Sequence, residues 1–319
     1  MTTTLAAGPQ GVVTSSRSVP PARRRARRRE RTTQWLFLVP AIAYVLIFFG
    51  YPIVKNLVMG FQDYSVRTFV TGEAPWVGLA NYAEVVGSGI FRTTVVNTAL
   101  FTLGSIAGQF VIGLLFALFF KRRFPLSNVL RSLLLLPWLL PMIAGSAVWR
   151  WILDQDGGIL NETLRSIGLV DDPIQWLTSP DIALVAVVLV NVWVGIPFNM
   201  TLLYSGLQNI PDELYEAGAL DGATGWKAFR HITWPSLRPV VNVVLVLGVI
   251  YTLKVLDIIL GLTGGGPANA TQTLATDSYR RSFQEFSFGT GAAVSNVLIV
   301  VSLVFAVVYL RANRHAEDE

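Results

Sequence analysis

The sequence predicts an all-α, polytopic membrane protein: six transmembrane helices with both termini in the cytoplasm. Three observations carry that expectation. Of the 319 residues, 52% are hydrophobic and only 14% are charged, a balance found in membrane chains. Six stretches, roughly 35–54, 93–120, 131–151, 182–204, 239–260 and 291–310, are apolar over a length that can cross a bilayer, for which a helix needs about 20 residues. Basic residues are unequally shared between the two sets of connections. Seventeen of the 25 lysines and arginines fall on the side holding both termini, and the basic side is cytoplasmic. Each span must be helical, because an open strand would leave peptide groups unsatisfied in lipid.

The composition also narrows the chemistry. Cysteine is absent, so there is no disulfide framework, thiolate nucleophile or cysteine metal site. The two histidines, His231 and His315, are far apart in sequence and suggest neither a metal site nor a triad. No catalytic residue, cofactor-binding residue or metal ligand is expected. The phosphate-loop pattern G-x-x-x-x-G-K-[ST] does not occur, and "GATGWKAF" lacks both its spacing and its hydroxyl. The net charge of +5 does not point to nucleic acid, because seven arginines between Arg23 and Arg31 sit directly before the first span. They read as a topology signal and a contact for anionic membrane lipid.

Along the chain, residues 1–22 are rich in Thr, Ser, Gly and Pro without apolar periodicity and are expected to be disordered. The stretch "WLFLVPAIAYVLIFF" begins like a signal peptide, but no small-residue cleavage pattern follows, so the first span is read as uncleaved. In the third span, "LLLLPWLLPMIAGSAVWRW", Pro137 and Pro141 lie four residues apart on one face and predict a kink or a local opening. Pro197 predicts the same in the fourth. Two readings stand: tolerated prolines whose freed carbonyls are satisfied by neighbours, or hinges lining a path.

Asn97, Gln109, Asn191, Asn199, Asn242 and Asn296 recur in the spans. Interhelical bonds of about 0.6 kcal/mol each account for most, and a minority would line a polar path. Lys254 and Asp257, near the outer end of the fifth span, lie three apart on a helix and can pair. An isolated charge at mid-bilayer costs about 2.5–3.5 kcal/mol, so both should face protein or water, as an ion pair or as ligand contacts. Between the last two spans, "LTGGGPANATQTLATDSYRRSFQEFSFGTG" is turn-forming, then amphipathic and aromatic.

Residues 206–238 fall on the cytoplasmic side and depart from the apolar character around them. Pro211 suits a first helical position, with Asp212 and Glu213 in the first turn, where the helix dipole favours acids. A helix over about 211–220 is expected, ended by Gly222. Thr224 would cap a second, running to about 232 and stopped by Pro235. Neither is long enough to be stable alone, so they would pack together as a knuckle. Ala217, Gly218, Ala219, Gly222 and Ala223 allow close backbone approach, ringed by Leu214, Tyr215, Trp226 and Phe229 with Glu216 and Asp221 supplying charge. A partner's docking surface and a solvated loop packed on itself are both compatible with that pattern.

"YEAGALDGATGWKAFRHITWPSLRP" resembles the E-A-A motif of the permeases of ATP-binding-cassette importers: Glu216, Ala217 and Gly218, then Gly222, Ile232 and Pro235. Gly218 replaces the second alanine and Trp234 a leucine. "LKVLDIILGLTGGGPANATQTL" and "FLVPAIAYVLIFFGYPI" are similar to the carbohydrate branch that contains the maltose and glycerol-phosphate importers, and the resemblance covers about residues 35–311.

The resemblance implies a type I importer permease fold. Its parts would be a basic cytoplasmic tail (1–34), a first span with an external loop (35–92), a five-helix permease core (93–311) holding the coupling loop 206–238, and a cytoplasmic tail (312–319). It implies a second permease subunit, a different chain in this branch, two cytoplasmic ATPases that hold ATP and Mg, and an external solute-binding protein that delivers a sugar. Glu216, Ala217, Gly218, Asp221, Gly222, Ala223, Phe229 and Pro235 would contact the ATPase or shape that contact. Asn191, Trp193, Asn199, Asn242, Lys254 and Asp257 are the substrate-path candidates, since sugars favour amides and aromatic faces. An ABC permease for another solute is the alternative within the family. An ion-coupled transporter would show inverted repeats and more buried acids, and an intramembrane enzyme a nucleophile–base pair; the chain shows neither.

Overall fold

The computed structural model describes residues 35, 37–122 and 124–317. The expected disordered tail over 1–34, with its arginine run, lies outside the described residues, as do Leu36, Arg123 and residues 318–319. The chain divides into compact units at Lys55/Asn56. Among the described residues the protein is helical, with two isolated bridges, Gln62–Trp76 and Ser65–Ser287, the sole extended pairings.

The helices are α1 (Phe37–Met59), α2 (Val66–Thr71), α3 (Ala80–Gly87), α4 (Phe91–Lys121), α5 (Ser127–Leu139) and α6 (Met142–Ile152). They continue with α7 (Ile159–Ser166), α8 (Ala183–Gln208), α9 (Asp212–Leu220), α10 (Trp226–Leu253), α11 (Asp257–Leu262), α12 (Leu274–Tyr279) and α13 (Phe288–Glu317). Among the described residues, five are long and apolar enough to cross a membrane: α1, α4, α8, α10 and α13.

The third predicted span is not one rod. α5 and α6 together meet the length and composition of a span but bend by 98° at the break between them. Leu140 takes an extended ψ of 139°, as a residue before proline prefers, and Pro141 opens the new helix. Pro197, by contrast, leaves α8 continuous over 26 residues. One turn beyond, Asn199 Nδ2 donates to Gly195 O and Thr201 Oγ1 to Pro197 O.

Pro235 does not stop a short helix, as the sequence suggested. It lies inside the 28-residue α10, just past a π-turn at Phe229–Thr233. There the Trp234 N–H reaches back to Phe229 O, and this widened turn gives the ring room that an α-turn would deny. α10 then ends at Leu253 rather than near 260. Lys254 and Asp257 therefore stand on either side of a helix break, not on one helix.

α4 and α8 pack closely along their lengths. A Cβ on Gly113 would fall 2.7 Å from Asn199 Cβ, and one on Gly195 2.2 Å from Gln109 Cδ. Small residues at such crossings replace the hydrophobic drive that lipid does not supply. Two apolar clusters result. One gathers Ala117, Phe120, Met200, Leu203, Leu207, Leu237 and Val244 at the α9 end. The other gathers Phe101, Val187, Val190, Ile258 and Ile259 toward the opposite end. Beside these clusters Gln109 of α4, Asn191 and Asn199 of α8 and Thr252 of α10 come together.

Candidate functional site

The knuckle forms from α9 and the start of α10. Pro211 is the residue just before α9 rather than its first, and Asp212 and Glu213 occupy the first turn as expected. Gly222 has φ +76°, a left-handed conformation that glycine adopts without steric cost. Its amide bonds Ala219 O at 3.1 Å, and Ala223 N bonds Gly218 O at 2.7 Å, closing α9. Gly225, with φ +54°, precedes α10 in the role expected of Thr224.

Four contacts brace the knuckle. Ile232 packs over Gly218, so closely that a Cβ there would lie 2.5 Å from Ile232 Cδ1. Tyr215 OH pairs with Thr233 Oγ1 at 2.9 Å. The Lys121 ammonium sits 3.8 Å above the Tyr215 ring and ties α9 to the end of α4. Phe229 stacks on Trp226 at 5.1 Å.

Glu216, Ala217, Asp221, Gly222 and Pro235 are exposed, while Gly218, Ala223 and Phe229 are half-buried. Glu216 and Asp221 take part in no ion pair among the described residues. Leu214, Leu220 and Trp226 present apolar surface beside them, Leu220 being 90% exposed. Exposed apolar side chains next to unpaired acids form a surface suited to a protein partner.

Between the two apolar clusters lies a cavity of about 400 Å³. Of the six path candidates, Asn191, Asn199, Lys254 and Asp257 line it. Trp193 packs edge-on against Trp149 at 5.4 Å, and Asn242 accepts the Tyr309 hydroxyl at 3.1 Å; neither lines the cavity. Asn191 is buried, yet its Nδ2 has no hydrogen-bond partner among the described residues. A buried, unpaired amide donor costs about 1–3 kcal/mol, and a ligand acceptor in the cavity would recover it. Asn199 spends its Nδ2 on Gly195 O at 2.9 Å, leaving its carbonyl oxygen for the cavity.

Lys254 and Asp257 are exposed and do not pair with one another. Lys254 Nζ lies 4.9 Å from the Tyr251 ring centroid instead. Among the lining residues that sequence reasoning did not single out as site members are Gln109, Trp138, Phe198 and Tyr251. Gln109 Nε2 donates to Asn191 O at 3.0 Å and so fixes the height of α4 against α8. Trp138, Phe198 and Tyr251 form an aromatic wall with centroid spacings of 6.1 and 5.9 Å. Aromatic faces with a few convergent amides are the usual make-up of a small-molecule site. Gln109 was visible as a polar residue in a span, but the wall draws on three separate helices and becomes evident only once they cross.

At the other end from the knuckle, the glycine-rich segment is fastened to α4. The Asn97 amide lies within 3.1 Å of the carbonyls of Asn269, Ala270 and Gln272. Beyond it, the buried carboxylate of Asp277 takes Arg280 at 2.6 Å and the buried Arg281 at 3.0 Å. Arg280 also pairs with Glu285. These pairs brace α12 and the turn that follows it, and Ser278 Oγ fastens that segment to α13 by donating to Gly291 O at 2.9 Å.

The family described as binding-protein-dependent transport system inner membrane component matches residues 109–317. The trehalose/maltose transport system permease protein MalF of Thermococcus litoralis is 36% identical over 292 residues, covering 91% of this chain and 96% of that one. The diacetylchitobiose uptake system permease protein DasB of Streptomyces coelicolor is 32% identical over 304 residues, covering 93% and 91%. Among solved structures, a chain of a bacterial ABC transporter involved in the import of alginate, an acidic polysaccharide, superposes with a TM-score of 0.79 at 23% identity. That match covers 92% of this chain and 99% of the other.

Proposed function

The chain belongs to the family of binding-protein-dependent inner membrane transport components, and we propose that it is the membrane-spanning subunit of an ATP-driven sugar importer. A solute-binding protein outside delivers a mono- or oligosaccharide or a sugar derivative. A second permease subunit completes the path, and two ATPases below hold ATP and Mg and supply the motion. Curated relatives that transport trehalose and maltose or diacetylchitobiose support a sugar as the substrate class. Both termini are assigned to the cytoplasm, because Lys121, Arg122, Arg131, Lys227, Arg230 and Arg238 lie in the segments around the knuckle and the positive side is inside.

One observation carries the mechanism: α10 runs unbroken from the knuckle at Trp226 to the cavity mouth beside Lys254. Closure of the ATPases displaces the knuckle, and the packing of Gly218 on Ile232 passes that displacement to α10. The cavity then opens alternately to the two sides, a switch between two states whose balance ATP shifts. Within the cavity, Asn191 donates to a sugar hydroxyl, Asn199 accepts from one, and the Trp138–Phe198–Tyr251 wall takes the apolar ring faces.

The test is a pair of knuckle variants, Glu216→Lys and Gly222→Asp, assayed for uptake and for ATPase retained on purification. Both activities should be lost while the protein still reaches the membrane. Full uptake with normal ATPase retention in both variants refutes the coupling role. Uptake that persists on an ion gradient without any ATPase refutes the importer itself.

A further inference from the structure

A second cavity, of about 600 Å³, opens where α4 and α8 end and α5 and α9 begin. The central cavity is lined by one cation and one acid, Lys254 and Asp257, whereas this one is lined by two cations and one acid. Lys121 and Arg122 face it, with Ser127, Asn128, Gln208 and Asp212 as hydrogen-bonding groups. Arg131 adjoins it, its guanidinium 4.6 Å from the ring centroid of the lining Tyr204 and hydrogen-bonded to the lining Asn128 at 3.0 Å. Among the described residues no carboxylate pairs with Lys121, Arg122 or Arg131.

A simpler account is that Lys121 merely complements the negative end of the α4 dipole. It does not explain three cations around one polar recess, of which Arg131 lies within α5, nor a volume far larger than a side chain needs. We infer that this recess seats the headgroup of an anionic phospholipid of the inner leaflet. Its phosphate lies against Lys121 and Arg122. The hydroxyls of a glycerol headgroup reach Asp212, Ser127 and Gln208, and the acyl chains run up the apolar exterior.

The position favours lipid over a soluble anion. α4 and α8 have the length and composition of membrane spans, and helices longer than the roughly 20 residues that cross the hydrocarbon carry their ends out to the headgroup region. Basic pockets between membrane helices on the cytoplasmic side are a recurrent form of lipid headgroup site. Phe120 and Phe124 also line the recess, giving it an apolar edge that a free phosphate would not use.

The site also bears on coupling, and to that extent rests on the function proposed above. Lys121 holds the Tyr215 ring of α9, and Asp212 is the first residue of α9. A bound headgroup would therefore bridge α4 to the knuckle and steady it.

The test uses the assembled transporter in neutral detergent, titrated with short-chain phosphatidylglycerol, phosphatidylethanolamine, phosphatidylcholine or inorganic phosphate, with thermal unfolding as the readout. Phosphatidylglycerol should raise the melting temperature saturably, while phosphatidylcholine and phosphate should not. Arg122→Glu and Asn128→Leu should each weaken the half-saturating concentration at least fivefold, and Arg165→Glu, remote in the chain, should leave it unchanged. An equal response in Arg122→Glu and the unmodified transporter overturns the site. So does a response to phosphate matching that to phosphatidylglycerol, a larger response to phosphatidylethanolamine, or loss of ATPase from Arg122→Glu without loss of lipid binding, which would make the recess a protein contact. Lipid binding kept by Gly222→Asp separates this site from the coupling role, since that variant tests the knuckle alone.

Discussion

Ile232 Cδ1 lies 2.5 Å from where a Cβ on Gly218 would stand. The two are 14 residues apart, Gly218 in α9 and Ile232 in the π-turn of α10, so this contact joins α9 to the long helix that follows it. Glycine at 218, where the motif carries an alanine, therefore has a packing role. It lets the neighbouring helix come down onto the backbone.

Gly218→Ala should be tolerated, because the clashing atom is the free end of a flexible side chain. Gly218→Val cannot be relieved that way, and overpacking of this kind costs about 1–3 kcal/mol. Uptake and ATPase retention should both fall in the valine variant and both recover when Ile232→Ala is added. Measuring the two activities in the single and double variants checks the contact directly.

Asn191→Leu keeps the volume of the side chain and removes the unpartnered Nδ2. The loss of one hydrogen bond, about 1 kcal/mol, should raise KM for uptake roughly 3–10-fold. Because nothing in the protein relies on that donor, the melting temperature should hold or rise. A fall in stability with unchanged KM would show that Asn191 serves the fold and not the path.

Asn242→Leu should behave in the opposite sense. Its side chain takes the Tyr309 hydroxyl at 3.1 Å, away from the cavity. About 1 kcal/mol of stability should go with that bond, and Tyr309→Phe should cost a similar amount. KM should not move in either variant, which side-by-side uptake assays would detect.

Asp277→Ala removes the buried carboxylate from the buried Arg281 and leaves it only the exposed Glu84 at 3.7 Å. Removing one partner of a buried pair typically costs about 3–5 kcal/mol, so this variant should lose most of its folded protein at 37 °C. Glu285→Gln, at the exposed end of the same network, should shift stability by less than about 1 kcal/mol. Expression level and melting temperature in detergent are the measurements.

The parts legible in the sequence are those set by local rules. Apolar length gave the span helices, and Gly222 gave the end of α9 because left-handed backbone favours one residue type. Pro235 misled because a proline stops an α-helix only if the turn ahead of it stays α-helical; here the π-turn at Phe229–Thr233 absorbs it. Pro141 and Pro197 look alike in sequence, yet one breaks a span and the other does not. The difference is tertiary: Pro197 is buried, on a helix packed along α4. Of the two readings for Lys254 and Asp257, an ion pair or ligand contacts, the pair rested on a three-residue spacing that assumes an unbroken helix, and the break at Lys254 removes that assumption. The central cavity was half visible. Its amides could be counted in the spans, but which ones share a level depends on how α4, α8 and α10 cross.

The length of α10 has a practical consequence. Its 28 residues, at about 1.5 Å each, make a strut of about 42 Å with one end at the knuckle and the other beside the central cavity. A spectroscopic label near Trp226 and another near Lys254 would keep their mutual separation throughout the cycle, while either one measured against α13 would change. Nucleotide status and gate status would then be read as one angle, not as two events in sequence.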